Sequence, residues 1–206
     1  MSMEMDDLFT LPDSGLGWLD ASGPSSDIVL STRVRLARNL QQKPFGPRAR
    51  GQEREAVLDR IKASAGTLSR LSGASILDLQ EIAPRARKIL LERRLVSREL
   101  LGGEKAVPQR GAAVILSSRD PLSIMVNEED HLRLQSLFSG LRLHDGWDLV
   151  DRVDDELGQE LPFAFHPEFG YLTSCPTNVG TGLRASVLMH LPGLVLTKEI
   201  GKVLQG

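Results

Sequence analysis

The sequence has little cysteine, few aromatic residues and no long apolar run. Its single cysteine rules out an internal disulfide, and with only four histidines a zinc cluster of cysteine and histidine is disfavoured. No apolar run approaches the roughly 18 residues needed to cross a bilayer. The acidic N-terminus also lacks the basic-then-apolar pattern of a signal peptide. We therefore expect no resident metal site, no membrane partner and a cytoplasmic location.

Charge of neither sign is in excess. The chain has 25 basic and 27 acidic residues, giving a net charge of −2, whereas general nucleic-acid binders normally carry a basic excess. We expect no nucleic-acid partner. With 206 residues, of which 41% are hydrophobic, the chain can build the core of one domain with a small appendage.

The pattern of apolar residues predicts an α+β domain, an antiparallel sheet flanked by helices on one side. Residues 28–39 alternate as a strand does, which places Arg33 and Arg35 on one face and Val34 and Leu36 on the other. Residues 112–116 and 122–126 form a predicted hairpin, with shorter β patterns at 163–165 and 169–173 and a further apolar run at 184–191. Predicted helices cover 53–65 (with Ala56, Val57, Ile61 and Ala65 on one side), 85–95, 145–157 and 194–205.

The N-terminal residues have a different composition from the rest. Residues 1–20 are acidic and then contain glycine and proline. We interpret them as a flexible arm, docked by Trp18 and Leu19.

Residues 175–186 bring three chemical features together. Cys175 opens the stretch, Gly180 and Gly182 allow a tight turn, and Arg184 supplies a cation before an apolar run. The combination is compatible with an anion site. It is equally compatible with a hairpin loop beside a buried cysteine, and the stretch alone does not decide between them.

Three acids, Glu128, Glu129 and Asp130, follow the second strand of the predicted hairpin. Such a run is most often a solvated turn. Adjacent carboxylates at a strand end can also hold a guanidinium group in a two-bonded geometry and take its proton. A guanidinium needs such a base before it can act as a nucleophile, because its pKa lies above about 12.

Four arginines from three stretches could surround a phosphoryl group: Arg33, Arg35, Arg133 and Arg184. Phosphoryl transfer depends mainly on positioning and on cations around the moving group. Each arginine alone is most simply a surface residue. Their occurrence at strand ends, beside acids and a glycine turn, favours one joint site.

Three motifs make the sequence recognisable: STRVRLARN at 31–39, VNEEDHLR at 126–133 and CPTNVGTGLRAS at 175–186. In this order and spacing they resemble the ATP:guanidino phosphotransferases, the family of arginine and creatine kinases, and above all its bacterial protein arginine kinases. The resemblance runs from about residue 20 to the C-terminus. It implies the guanidino kinase catalytic-domain fold, which is glutamine synthetase-like, with residues 21–206 as the N-terminal part of that domain.

The resemblance also implies a role for each matching residue. Glu129 would be the base that orients and deprotonates the target guanidinium, supported by Glu128 and Asp130, with Cys175 nearby. ATP, accompanied by Mg²⁺, would be held through its phosphates by Arg33, Arg35, Arg133 and Arg184, in a pocket lined by Ser31, Thr32, Val34, Ala185, Ser186, Val187 and Leu188. His131 and His190 are expected to be structural.

Two departures from the family pattern stand out. Arg94 lies where related proteins carry a histidine near the nucleotide. It could still meet a phosphate, but the aromatic stacking of that histidine is lost. Family members also continue well past the point where this chain stops. The resemblance therefore predicts a domain that is incomplete at its C-terminus.

The function implied by the resemblance is transfer of the ATP γ-phosphoryl group to arginine side chains of proteins, which marks them for Clp-type proteolysis and regulates the stress response. The partners implied are proteins with exposed arginine, a McsA-like activator, a Clp ATPase and a second copy in a homodimer. The alternatives are a kinase of free arginine or another small guanidine, a truncated non-catalytic module that binds guanidinium or phosphate, and an unstable fragment without activity.

Overall fold

A computed structural model describes residues 17–103 and 107–205 of the chain. Its strands are β1 (Val29–Arg38), β2 (Ser75–Asp78), β3 (Ala113–Leu116), β4 (Leu122–Val126), β5 (Leu132–Ser139), β6 (Phe165–His166), β7 (Gly170–Tyr171) and β8 (Leu183–Met189). Its α-helices are α1 (Gly51–Thr67), α2 (Pro84–Glu92), α3 (Leu143–Glu160), α4 (Pro192–Leu196) and α5 (Ile200–Gln205). Short 3₁₀ helices cover Gly17–Leu19, Gly46–Arg48, Ser69–Leu71 and Pro176–Asn178.

Six of these strands form one antiparallel sheet in the order β2-β3-β4-β5-β1-β8. β1 therefore lies between β5 and β8, although it comes first in the chain. Strands β6 and β7 form a separate two-stranded ribbon. The antiparallel sheet and the α+β class predicted from the sequence are confirmed.

One face of the sheet packs on α1 and α3. Val34 and Leu36 from β1 are each 1% exposed and belong to this core. The alternation predicted for residues 28–39 is therefore confirmed on its apolar side. The other members come from the same face of β3, β4 and β5 and from the two helices, and include Ile115, Ile124, Leu134, Ile61 and Val153.

The opposite face is covered over only part of its width. Met125, Val114 and Leu116 pack with α2 and with the segment that follows it, in a second core that includes Leu90 and Leu95. The expectation of helices on one side only is therefore wrong, because α2 has its own apolar side to bury against the sheet. The part of this face formed by β5, β1 and β8 carries the arginines.

The sequence prediction missed two strands and misjudged one helix. β2 and β5 were not predicted: the polar residues Arg133 and Gln135 interrupt the apolar pattern of β5. The predicted helix 194–205 is two short helices, separated where Lys198 has a φ of 60°. Ala56, expected on the buried side of α1, is exposed.

The predicted N-terminal arm is described only from Gly17. Trp18 is docked, since its indole Nε1 donates a hydrogen bond of 3.3 Å to the carbonyl oxygen of Arg93. Leu19 is 59% exposed and does not dock the segment. Residues 1–16 lie outside the described residues. Across the described ranges, no helix is both long and apolar enough to cross a membrane.

Replacing Gly146 with alanine tests how closely α3 approaches the sheet. A Cβ at Gly146 would lie 2.9 Å from Cγ2 of Val34 and 3.1 Å from Oγ of Ser136, and Val34 is stiff at χ1. Alanine normally stabilises a helix interior by about 0.5–1 kcal/mol over glycine, but overpacking costs about 1–3 kcal/mol. We expect Gly146→Ala to lower the free energy of unfolding in urea by about 1 kcal/mol.

The matched control is Gly66→Ala in α1, where a Cβ would meet nothing within 4 Å. That change should leave stability equal or slightly higher. A stabilising effect of Gly146→Ala as large as that of Gly66→Ala would show that the α3–sheet contact is loose.

Candidate functional site

The register of three strands brings four arginines to one face of the sheet. Arg35 pairs with Arg184 of β8, Arg33 pairs with Ser186, and Ala37 pairs with Arg133 of β5. Because alternate residues of a strand share a face, all four side chains lie on the face opposite the α1–α3 core. We call Arg33, Arg35, Arg133 and Arg184 the arginine cluster.

The arginine cluster opens into neighbouring cavities. One of about 210 Å³ is lined by Arg33, Arg35 and Arg133, together with Arg94 and Gln135. A second, smaller cavity beside the turn at Gly182 is lined by Arg35, Arg133 and Arg184. The structure thus joins residues that are up to 151 positions apart in the sequence, from Arg33 to Arg184.

The cluster is electrostatically unfavourable without an anion. Burial, followed by the positive charges of Arg33, Arg133 and Arg184, lowers the pKa of Arg35 to about 10, against a smaller opposite effect of Glu128. The Nε of Arg35 is buried without a hydrogen-bond partner among the described residues. Partly desolvated like charges of this kind favour binding of a polyanion, which would relieve their repulsion.

The predicted pocket-lining residues divide between the two faces. Ser31, Ser186, Val187 and Leu188 line a cavity of about 160 Å³ with Arg33. Thr32 and Val34 are buried on the opposite face, where the Thr32 hydroxyl donates to the carbonyl oxygen of Gly140 at 2.6 Å. Their side chains therefore do not reach the cavity. Ala185 pairs with Val34 and Val187 pairs with Thr32, so the side chains of both belong to that opposite face.

The three acids do not form a solvated turn. Oε1 of Glu128 accepts a 2.6 Å hydrogen bond from Nη1 of Arg133, and the Glu128 side chain is 2% exposed. Oδ1 of the buried Asp130 accepts from Nδ2 of Asn39 at 2.6 Å and from the backbone N–H of Ser174 at 2.7 Å.

Glu129 differs from the other two acids: its side chain is 39% exposed, and Oε2 is 3.5 Å from Nη2 of Arg133. Its carboxylate thus remains accessible beside the arginine cluster.

The surroundings of Glu129 raise its pKa above the usual value. Partial burial is the main cause, followed by the negative charge of Asp130, while Arg133 opposes the shift and Glu128 adds to it. A carboxylate that binds a proton more tightly is a stronger base once it is deprotonated.

The acid loop, which we define as residues 127–131 between β4 and β5, has a backbone that is fixed from two sides. Asn127 has a left-handed φ of 57°, and its Nδ2 donates to the carbonyl oxygens of Arg54 and Gly111, both at 2.8 Å. Arg54 in turn donates to the carbonyl oxygen of Asn127 at 3.1 Å. On the other side, a Cβ at Gly46 would lie 2.0 Å from the carbonyl oxygen of Glu129. Only glycine fits there.

His131 binds the acid loop to the end of β1. Its Nδ1 accepts from the backbone N–H of Leu40 at 3.0 Å, so its Nε2 carries the proton and donates to the carbonyl oxygen of Pro44, also at 3.0 Å. Its backbone N–H donates to Oδ1 of Asn39. This placement supports the structural role expected for His131.

Cys175 is tied to the acid loop through its neighbour in the chain. The hydroxyl of Ser174 donates to the carbonyl oxygen of Glu129 at 2.7 Å, beside the bond from Ser174 to Asp130. Cys175 itself is partly exposed, with Sγ 3.0 Å from Oγ1 of Thr177. The structure therefore brings Cys175 and Glu129 into one neighbourhood.

Sequence reasoning missed Arg38, which positions the turn before β8. Its guanidinium is buried, binds Oδ2 of Asp154 at 2.7 Å and donates to the carbonyl oxygen of Thr181 at 2.8 Å. The same group lies 3.6 Å from the ring centre of Tyr171. The alternation of β1 places Arg38 on the face opposite Arg33 and Arg35. This alternation could have indicated from the sequence that Arg38 does not belong to the arginine cluster.

Comparison with known proteins gives a consistent result. A family model described as "ATP:guanido phosphotransferase, C-terminal catalytic domain" matches residues 56–206. The protein-arginine kinase of Moorella thermoacetica is 48% identical over 192 residues, which cover 91% of this chain and 53% of that protein. The protein-arginine kinase of Symbiobacterium thermophilum is 46% identical over 189 residues, covering 90% and 52%. The chain thus spans about half the length of the curated relatives it matches.

Solved structures give the same fold at lower identity. Lombricine kinase matches with a TM-score of 0.72 at 25% identity, over 89% of this chain and 54% of that one. The duplicated taurocyamine kinase from Schistosoma mansoni, with bound transition-state-analogue components, matches with a TM-score of 0.71 at 26% identity, over 84% and 25%.

The left-handed backbone of Asn127 provides a test of the acid loop. Both Asn127→Ala and Asn127→Gly remove the hydrogen bonds to Arg54 and Gly111, but only alanine also strains the backbone, by about 1–2 kcal/mol. We expect both variants to unfold at lower urea concentration, with the alanine variant less stable than the glycine variant by about that amount. Equal stability of the two would mean that the loop abandons its left-handed turn.

Proposed function

Because the chain belongs to the ATP:guanido phosphotransferase family, we propose that it transfers the γ-phosphoryl group of ATP to arginine side chains of proteins. The observation that carries this proposal is the accessible carboxylate of Glu129, which lies beside Arg133 at the edge of the arginine cluster. The carboxylate proposed as the base and the cations proposed to bind phosphate are thus adjacent. The identity of 46–48% to two protein-arginine kinases supports a protein as the acceptor.

The arginine cluster suits the triphosphate of ATP. Its side chains would bind the phosphate oxygens and stabilise the charge that develops on the transferring group. Among the described residues, no group of three or more His, Cys, Asp or Glu side chains is arranged to hold a metal ion. In the proposed reaction Mg²⁺ would enter bound to ATP. There it would neutralise part of the phosphate charge.

Glu129 would act on the acceptor. The target guanidinium is protonated at neutral pH, so a nitrogen lone pair becomes available only if a proton leaves. Glu129 would accept that proton as the nitrogen attacks the γ-phosphorus, forming the N–P bond while the bond to the bridging oxygen of ADP breaks. Glu128 would hold Arg133 in place during the transfer, with Cys175 beside the guanidinium.

A kinase of a small guanidine compound is the second candidate. The fold similarity to lombricine kinase and taurocyamine kinase favours it, whereas the sequence relatives favour a protein acceptor. The remaining expectations stay proposals drawn from the resemblance: the domain division at residue 20, a cytoplasmic location, a McsA-like activator, a Clp ATPase, a homodimer and a role in proteolysis and the stress response.

The proposal is tested by incubating the 206-residue chain with ATP, Mg²⁺ and an arginine-rich protein, and measuring phosphoarginine without any acid step. We expect product with the unmodified chain. Glu129→Gln should lower the rate by a factor of about 10²–10⁴, the usual contribution of a general base, without weakening the binding of MgATP. The matched control is Glu168→Gln, which alters an exposed residue outside the site.

Each other outcome has a definite meaning. Product on free arginine but not on protein would favour the small-guanidine kinase. Binding of MgATP without any product would favour a non-catalytic binding module. If neither binding nor product is found, the proposal fails for this chain. Equal loss of binding and rate in Glu129→Gln would exclude Glu129 as the base.

The pH dependence of the rate tests the environment of Glu129. A general base works only when deprotonated, so kcat/KM falls as the pH drops through its pKa. An ordinary glutamate has a pKa of about 4.3. Because the pKa of Glu129 is raised, kcat/KM should begin to fall at a higher pH than it would with an ordinary glutamate as the base. The Kd of MgATP at each pH serves as the control. An acid limb at or below the ordinary value would contradict the assignment.

A further inference from the structure

Arg94 lies beside the arginine cluster, although the predicted set of phosphate-binding residues omits it. It lines the cavity of about 210 Å³ with Arg33, Arg35 and Arg133, and the cavity of about 160 Å³ with Arg33 and Leu188. Its charge lowers the pKa of Arg33, second only to burial. A guanidinium at the junction of two cavities that already hold cations can act as a fifth ligand for a polyanion.

The backbone of Arg94 is fixed to the sheet. Its φ of 60° is left-handed, a conformation that a non-glycine residue rarely adopts. Its N–H donates to the carbonyl oxygen of Leu91 at 3.0 Å, and its own carbonyl oxygen accepts a 2.7 Å hydrogen bond from Nε2 of the buried Gln135. Gln135 is on β5, two residues from Arg133. The backbone of Arg94 is therefore fixed, and only the direction of its guanidinium can still vary.

Trp18 provides that restraint. The Arg94 Cζ lies 5.1 Å from the centre of the Trp18 ring, within the range of a cation–π interaction. The indole is itself anchored, since its Nε1 donates to the carbonyl oxygen of Arg93. None of the ion pairs found among residues 17–103 and 107–205 involves Arg94. The aromatic face is thus the group that holds the Arg94 guanidinium near the cluster.

We propose that Trp18 is a positioning residue for nucleotide binding, which holds Arg94 against the arginine cluster as a fifth phosphate-directed cation. The proposal rests on the proposed use of ATP. A free Arg94 side chain would be repelled by the like charges of Arg33, Arg35 and Arg133, which line the same cavity, and would turn toward solvent. A carboxylate partner could hold it in place, but would also cancel its charge and repel the phosphates. An aromatic ring attracts the guanidinium without adding a negative charge.

The proposal makes the segment Gly17–Leu19 part of the nucleotide site, although it lies far from the three motifs in sequence. This segment packs against β1 and β5, the strands that carry Arg33, Arg35 and Arg133. Its position on the sheet is therefore fixed relative to the cluster. Preorganisation of this kind lowers the entropy lost when a ligand binds.

The test measures the Kd of MgATP by calorimetry for the full chain and its variants. Loss of a cation–π contact in Trp18→Ala should raise the Kd about threefold to tenfold. Arg94→Ala should raise it about tenfold or more, since a charge-assisted contact is lost. The double variant should match Arg94→Ala alone, because Trp18 acts through Arg94. Trp18→Phe keeps an aromatic face and should bind more tightly than Trp18→Ala.

Trp147→Phe is the matched control, because it changes the other of the two tryptophans, which packs against the α1–α3 core. It should leave the Kd unchanged. It also makes Trp18 the sole tryptophan, so MgATP should alter the fluorescence of this variant, and adding Arg94→Ala should remove that response. This second readout keeps the proposal testable if Trp18→Ala fails to fold.

The outcomes separate the two proposals. If the unmodified chain does not bind MgATP, the proposed function fails and this inference fails with it. If it binds MgATP and Trp18→Ala binds equally well, only the positioning role is overturned. Additive effects in the double variant would also overturn it. A purely structural role for Trp18 would lower the Tm and the yield of folded protein without changing the Kd of the folded fraction.

Discussion

The backbone pairing of β1 with β5 on one side and β8 on the other determines where the functional groups lie. A slip of one residue in either ladder would exchange the two faces of a strand, and the cations would then be turned into the apolar core. Val34 and Leu36, almost completely buried on the far face, oppose such a slip. The hydrophobic core therefore holds Arg33 and Arg35 on the side where Arg133 and Arg184 can join them.

The same register places like charges together at an energetic cost that the fold must tolerate. Desolvation and mutual repulsion both lower the pKa of Arg35, so part of the folding free energy is used to hold this cluster. The stabilising contacts lie elsewhere, in the two apolar cores and in the buried Arg38–Asp154 pair. This separation leaves the arginine cluster without a full set of counter-charges, which is what an anion site requires.

Much of the sheet could be predicted from local patterns, whereas the contacts that complete the site could not. Strict alternation identified β1, and the hairpin β3–β4 and the helices α1 and α3 followed from periodicity. β5 was not predicted because its polar residues face a cavity. From sequence alone, polar residues that line a cavity look the same as polar residues that face solvent. The bonds of Asn39 to the acid loop and of Arg38 to Thr181 join segments 91 and 143 residues apart. No local pattern contains such information. The arginines beside acids and a glycine turn favoured one joint site, and the resemblance then connected the three motifs.

Arg133 links the two halves of the site. It donates to Glu128 at 2.6 Å and lies 3.5 Å from Glu129, yet it also lines the cavities of the arginine cluster. Its positive charge lowers the pKa of Glu129, against the effects of burial and Asp130. A phosphate bound at Arg133 would offset that charge, and the pKa of Glu129 would rise further. Binding of the anion would therefore make Glu129, the proposed base, more basic, so the two parts of the candidate site are coupled through one guanidinium.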